Sequence, residues 1–412
     1  MIIKNKNSKG GLHEKEKINS KYLYIFLFIF LFLAGYIAHK YETSPKNKII
    51  YHKKPDEILE KQLKQNYKVQ ATIVATGDIM FHTPQIKSAL DVKSGTYNFN
   101  DMFKSVKKYI ESADLAIGNF ETVTAGPEHR FRGYPTFNTP KSAIKTLKDI
   151  GFDVLSTANN HSLDVGREGL IETIENIHEF GLKNVGTYKN AEKKLLIEDV
   201  KGIKVAIMSY TYGCNGLESR LTKEELEYMV NFIDEDKIKD DIEIAKKQAD
   251  IVVIFIHWGN EYQREPSEFQ VSLAQKMFKW GADIILGSHP HVIQKAEFKK
   301  IDGQVKYVIY SMGNFISNQR YETVKNRYTE DGVIVKIHLE KDLAQNSTKI
   351  KEVEYIPTWV NRYVSDGKYK YEILPTIDYL NGKSEGISEN LLNKLKVSYK
   401  ATMGIINQNK QQ

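Results

Sequence analysis

Asp78, Asn119, Glu121, Asn160, His161, His257, His289 and His291 are the residues best equipped to do chemistry in this 412-residue chain. They lie in five separate segments: ATIVATGDIMF, DLAIGNFETV, VLSTANNHSLD, IVVIFIHWGNEY and IILGSHPH. In each, the polar residues follow directly on an apolar, β-branched run. Carboxylate, carboxamide and imidazole together form a donor set that suits Mn, Fe or Zn. Taken singly, each residue has a plainer reading: an Asp after Gly makes a turn or caps a helix, and a His after a strand is a hydrogen-bonded structural residue. Repetition at one kind of position is what points to a metal site. The single cysteine, Cys214, excludes an intrachain disulfide and a Cys-ligated zinc cluster. Its expected place is as a small apolar residue beside Tyr212.

The apolar runs predict strands over 71–76, 115–118, 154–157, 205–209, 251–257, 284–287, 308–310 and 333–339. Amphipathic stretches predict helices over 101–112, 141–150, 167–180, 223–248 and 266–280, with a further helical pattern at 391–399. Strands alternating with helices give an α/β fold. Ligands of open α/β sheets gather outside the carboxyl ends of strands, so the five segments are expected to converge on one edge. No internal repeat is visible, and the Gln/Asn/Lys tail is expected to fray.

Charge is unevenly placed. The formal net charge is +7, but residues 1–70 hold 14 Lys against 6 acids, which leaves −1 for residues 71–412. A nucleic-acid reader concentrates Lys and Arg on its domain, so no nucleic-acid partner is expected. The excess flanks residues 22–38, YLYIFLFIFLFLAGYIA, an uncharged run at the lower limit for a membrane-spanning helix. Tyr22, Tyr24 and Tyr36 suit the two interfaces. A cleaved signal peptide is the competing reading, but Tyr36 would occupy the −3 position before Ala38. The expectation is therefore an uncleaved, single-pass cell-membrane anchor. Six Lys precede the run and five follow within sixteen residues, so the charge bias is slight. The default for one early segment is a basic cytoplasmic tail, 1–21, and an extracytoplasmic domain. Residues 39–68 read as a solvated stalk, 69–360 as the main domain and 361–412 as a C-terminal extension without motifs.

The ordered motifs resemble those of the calcineurin-like metallophosphoesterases and, within them, the poly-γ-glutamate capsule biosynthesis proteins of the CapA or PgsA type. They are Gly77-Asp78, Gly118-Asn119 with Glu121, Ala158 with Asn160-His161, His257-Trp258-Gly259 with Glu261, and Gly287 with His289-Pro290-His291. The resemblance runs from about Thr72 to about Trp359, through Ser311-Met312-Gly313-Asn314-Phe315 and Pro357-Thr358-Trp359. It implies a four-layer α/β/β/α sandwich of two facing mixed sheets with the site at their shared carboxyl edge. It also implies two divalent metal ions: Asp78 and His291 on one, Asn160, His257 and His289 on the other, Glu121 bridging and His161 as general acid. Such a pair activates water and stabilises both oxygens of a phosphoryl transfer. Two departures stand out. The general pattern has Asp-x-His in its first loop, whereas Met80 stands two residues after Asp78 here and His82 is displaced to four; and the bridging Asp is replaced by Asn119-x-Glu121.

Asn119, Arg130, Arg132, Glu261 and Asn314 are further candidates for substrate contact. The guanidinium fork of Arg130 or Arg132 suits carboxylate or phosphate, although a solvated surface loop accounts equally well for both. Glu261 also suits the role of orienting a ligand His. The resemblance implies a part in making, releasing or anchoring anionic poly-γ-glutamate, beside a separate ATP-dependent ligase and an integral membrane subunit. This chain is not the ligase: Gly382-Lys383-Ser384 has Ile377 where the first Gly of a phosphate loop belongs. Two alternatives use the same residues. One is a surface phosphomonoesterase or phosphodiesterase acting on a phosphoester unrelated to capsule; the other is a non-catalytic, polymer-binding accessory subunit.

Overall fold

The computed structural model describes residues 29–36, 67–192, 194–382 and 386–407. Two compact units divide the chain, Met1–Leu63 and Lys64–Gln412. Of the expected anchor, residues 29–36 are described, as a helix with every residue exposed; the rest of 22–38 lies outside the described residues, as do the tail and most of the stalk. Among the described residues no helix is long and apolar enough to cross a membrane.

The second unit is built on two sheets. The larger contains β1 (Lys68–Ile79), β4 (Leu115–Phe120), β5 (Val154–Ser156), β6 (Lys183–Val185), β13 (Asn314–Ile316), β14 (Asp331–Asp342), β15 (Ser347–Ser365) and β16 (Lys368–Pro375), ordered β16-β15-β14-β1-β4-β5-β6 with β13 also on β1. The smaller contains β7 (Leu196–Val200), β8 (Ile203–Thr211), β9 (Ile251–His257), β10 (Ile284–Ser288), β11 (Ala296–Ile301) and β12 (Gln304–Ile309), ordered β11-β12-β10-β9-β8-β7. A short ribbon joins β2 (Leu90–Asp91) to β3 (Thr96–Tyr97). Parallel pairing of β1 with β4 and β13, β4 with β5, β8 with β9, and β9 with β10 aims all these carboxyl ends one way within each sheet.

Side-chain alternation creates the layers. On β1, Ile73 and Ala75 join a cluster shared by both sheets, with Val205, Ile207, Val253, Phe255, Ile284 and Leu286 from the smaller one. Val74 joins a second cluster with Ile144 and Leu147 of the helix Ser142–Asp149 and Ile177 of the helix Gly166–Glu179. Val252, Ile254 and Ile256 on β9 face a third, against helices Glu235–Lys246 and Glu268–Trp280. The result is the α/β/β/α stack. Each fully buried aliphatic side chain contributes roughly 1.5–3 kcal/mol, so strands buried on both faces anchor the site rigidly.

Some elements differ from the sequence reading. The long helix over 223–248 is two, Lys223–Tyr228 and Glu235–Lys246, because Val230 and Phe232 bridge to Thr187 and Thr211 and Asp234 caps the second helix. The helix over 101–112 is likewise two, Asn100–Phe103 and Lys107–Glu111. No boundary falls at 360: β15 runs through it, pairs with β16 along eight residues, and carries Trp359, which packs with Leu374 and Leu395 of the helix Glu389–Ile406. The segment 361–407 is therefore part of the domain rather than an extension.

Candidate metal centre

Six side chains meet where the two sheets present their carboxyl ends. Asp78 is near the end of β1, Glu121 follows β4, Asn160 follows β5, His257 ends β9, and His289 and His291 follow β10. All six are buried. Ligating atoms of Glu121, His257 and His289 lie within 4.8 Å of one another, as do those of Asp78, Glu121 and His291. Glu121 is common to both groups. Asn160 joins the first, its Oδ1 lying 2.9 Å from His257 Nε2.

The hydrogen bonds decide which atoms remain for a ligand. His291 Nδ1 lies 3.0 Å from Asp78 Oδ2 and 3.2 Å from Asn314 Oδ1, two acceptors, so it carries the ring proton. The other nitrogen, Nε2, is then a lone pair facing Glu121 Oε1 at 3.9 Å. His257 Nε2 approaches the same oxygen at 3.6 Å. Glu121 Oε1 and His289 Nδ1 are buried without any hydrogen-bond partner. Leaving such atoms unpaired is expensive, and two of them among grouped imidazoles and carboxylates fit the donor set of a divalent cation.

Electrostatics point the same way. Burial, followed by the neighbouring Asp78, pushes the Glu121 carboxyl well above its usual range. Burial, followed by the adjacent imidazoles, holds His257 and His289 well below theirs. The protein alone thus minimises charge here, whereas a cation would be held by an ionised Glu121 and neutral rings.

The loops are held in shape for this arrangement. His289 and His291 adopt φ of 94° and 57° around Pro290, a left-handed conformation of order 1–3 kcal/mol unfavourable for such residues. Pro290 O accepts from Tyr262 N at 2.8 Å and Ser288 O from Trp258 N at 3.2 Å, which fastens the loop after β9 to the loop after β10. Ser288 Oγ lies 2.9 Å from His257 Nδ1 and within reach of Ile256 O. Without a cation, Nε2–H donates to Asn160 Oδ1; with a cation at Nε2, Ser288 Oγ can accept the proton on Nδ1 while donating its own to the carbonyl. Ser288→Ala is expected to lower Mn affinity 10–100-fold with little change in melting temperature; calorimetric titration showing unchanged affinity would remove Ser288 from the positioning role.

The remaining candidates divide. His161 belongs to neither metal group; its Nδ1 lies 2.8 Å from Asp164 Oδ2 and its ring packs edge-on to Phe137 at 4.7 Å. Asn119 braces the carboxylates, donating through Nδ2 to Asp78 Oδ1 at 2.8 Å and Glu121 Oε2 at 3.1 Å. Asn159 in turn donates to Asn119 Oδ1 at 3.3 Å. Asn314 faces His291 and is otherwise occupied by Gln319 and Thr329. Glu261 is exposed at the rim but falls within 4.8 Å of the ligating atoms of His289 and His291. Arg132 donates to its own loop, at His129 O and Thr136 Oγ1, and Arg130 is exposed. Neither arginine lines the adjoining cleft of about 320 Å³, whereas Met80, His82, His161, Glu261 and His291 do. Cys214 is buried with Leu163, Leu170 and Met229, and burial raises its thiol pKa.

The sequence reading did not single out Ser288 or Asp164. Asp164 was visible only as an acid three residues after His161, and Ser288 only as the residue before the HPH turn.

The family model described as bacterial capsule synthesis protein PGA_cap matches residues 72–319. PGA biosynthesis protein CapA of Bacillus subtilis (strain 168) is 32% identical over 254 residues, covering 59% of this chain and 62% of that protein. Capsule biosynthesis protein CapA of Bacillus anthracis is 32% identical over 302 residues, covering 70% and 67%. The chain thus spans about two thirds of the curated relatives it matches. Among solved structures, a phosphatase from Mycoplasma pneumoniae superposes with a TM-score of 0.42 at 14% identity, over 70% of this chain and 93% of that one. With a family match across more than half of its length, this chain belongs to the bacterial capsule synthesis protein PGA_cap family.

Proposed function

We propose that this chain is a metal-dependent phosphoester hydrolase acting at the outer face of the cell membrane in poly-γ-glutamate capsule formation. The observation that carries the catalytic part is the pair of buried, partnerless donors, Glu121 Oε1 and His289 Nδ1, beside Asp78, Asn160, His257 and His291. Asp78 and His291 would hold one divalent cation, Asn160, His257 and His289 the other, with Glu121 between them. A two-metal centre supplies an activated water and charge stabilisation to a phosphoryl group. His161, held by Asp164 and edged by Phe137, would give a proton to the leaving oxygen.

The capsule role rests on family membership and on relatives named for capsule and PGA biosynthesis. An ATP-dependent ligase and an integral membrane subunit would be the partners, since this chain lacks a phosphate loop. Membrane attachment rests on the uncharged, Lys-flanked run 22–38. The test is hydrolysis of p-nitrophenyl phosphate and bis-p-nitrophenyl phosphate by the full chain. Activity should vanish on chelation and return with Mn, Fe or Zn; hydrolysis indifferent to chelator would sink the metal mechanism, and no turnover with metal bound would leave a polymer-binding accessory subunit.

A further inference from the structure

The cleft beside the metal centre carries a second message in its chemistry. Among the described residues that line it there is no Lys or Arg, and Glu261 is the one carboxylate. Two basic residues adjoin the lining in sequence. Arg320, next to Gln319, is buried, ion-paired with Glu330 at 2.6 Å and bonded to Val360 O at 2.9 Å. The exposed Lys325 places its Nζ 5.7 Å from the Tyr321 ring centroid.

What the cleft does present is aromatic faces and neutral hydrogen-bonding groups. Tyr134, Phe137 and Tyr262 form its walls, and Tyr134 is 74% exposed at the rim. His82 Nδ1 accepts from Asn318 N at 3.3 Å, and the Gln85 side chain also bonds the ring. Asn318 Oδ1 accepts from Tyr371 OH at 2.7 Å, which commits the carbonyl and leaves the amide protons. Gln319 Nε2 sits 3.5 Å from Tyr262 OH, and Gln319 Oε1 accepts from Asn314. Small-molecule sites of this kind are concave, aromatic and furnished with a few placed polar groups, and about 320 Å³ is at the small end of their range.

The geometry points to a neutral, polyhydroxylated leaving group in this cleft: the substrate is a phosphoester of a sugar, and the anionic polymer itself is excluded. Aromatic faces pack against the C–H faces of a sugar ring, the Asn318 and Gln319 amide N–H groups donate to its hydroxyls, and the Glu261 carboxylate accepts from them. A γ-glutamyl chain brings one carboxylate per residue, and apart from the metal centre, which the phosphoryl group itself would occupy, the cleft lining holds no guanidinium or ammonium to receive them. A role in capsule formation would then be exerted on a glycosyl phosphate of the envelope and not on the polymer.

The substrate assignment rests on the hydrolase reading above, so two measurements on the metal-loaded full chain separate them. The first compares kcat/KM for glucose 1-phosphate, adenosine 5′-monophosphate and phosphoserine. The second is saturation-transfer NMR with methyl glucoside and tetra-γ-glutamate, which needs no turnover. The expected results are at least tenfold higher kcat/KM for glucose 1-phosphate than for phosphoserine, and saturation transfer to methyl glucoside that falls at least threefold in Tyr134→Ala. Equal or better turnover of phosphoserine, or preferential binding of tetra-γ-glutamate, overturns the assignment. Tenfold preference for adenosine 5′-monophosphate overturns it in favour of base stacking. Methyl glucoside bound with every ester inert supports the sugar-binding cleft while defeating the hydrolase reading; no methyl glucoside binding overturns the cleft assignment whatever the esters do.

Discussion

Replacing His161 with alanine is expected to lower kcat for phosphoester hydrolysis by about 10²- to 10⁴-fold while leaving metal content unchanged. The two halves of that result come from separate features. His161 sits in the lining of the cleft and 2.8 Å from Asp164, but in neither ligand group. Its removal would therefore take away the proposed proton donor without taking away a member of the candidate metal groups. Asp164 also accepts from Phe137 N, so it ties the imidazole to the ring that covers it. Asp164→Asn should produce a smaller loss in kcat with KM little changed, since the imidazole stays in place with its tautomer no longer fixed. Steady-state kinetics with elemental analysis of the same samples checks both. Loss of metal in His161→Ala would mean the residue is a ligand, and an unaltered kcat would mean protons are supplied elsewhere.

The second large effect is expected from two glycines that look like punctuation in the sequence. A Cβ on Gly77 would lie 1.9 Å from Gly313 O, and one on Gly287 would lie 1.9 Å from Tyr310 O. Both obstacles are backbone, and both carbonyls are in use: Gly313 O accepts from Asp78 N at 3.0 Å, and Tyr310 O from Trp258 Nε1 at 2.9 Å. Nothing flexible can yield, so Gly77→Ala and Gly287→Ala should each destabilise by at least about 3 kcal/mol, the upper end of the overpacking range. At Gly118 the nearest groups are the Ile79 and Phe152 side chains, at 2.8 and 2.9 Å. Gly118→Ala should cost less, about 1–2 kcal/mol, because side chains can shift. Urea unfolding of the three variants gives the order. Equal losses would show that backbone contact is not what requires glycine at these places.

These glycines also show how far the sequence could be read. The motif positions are legible, because apolar runs ending in Asp78, Asn119, His257 and Ser288 announce strands whose ends share an edge. The reason for the glycines is not, because Gly77 meets Gly313, the residue before β13 and more than two hundred residues away. The same separation hid the job of Asn314, whose value lies in facing His291. The strands after β14 escape the sequence pattern for a different reason. In β15, KEVEY alternates charge with apolar side chains and the strand continues through a Pro into NRYVS, so only its middle residues are buried. The apolar-run reading therefore ends at Leu339, in β14. The split of the helix at 229–234 was hidden because Val230 and Phe232 keep the apolar rhythm while leaving the helix to bridge the loops at Thr187 and Thr211.

Arg130 and Arg132 show how one loop composition allows two readings. Two guanidinium groups in a loop suit an anion site and a self-braced loop equally well. Here Arg132 holds the loop's own carbonyls, and the cleft is walled by tyrosine, phenylalanine and amide groups instead.

The most direct test of the dinuclear centre is metal content per chain, measured by elemental analysis on the purified protein after reconstitution with Mn, Fe or Zn, beside an Asp78→Ala/His289→Ala double variant. Near two equivalents in the parent and loss of both in the variant, with the fold retained by circular dichroism, is the predicted result. A parent chain that holds no metal after reconstitution would contradict the account, because Glu121 Oε1 and His289 Nδ1 would then be buried without the cation that explains them.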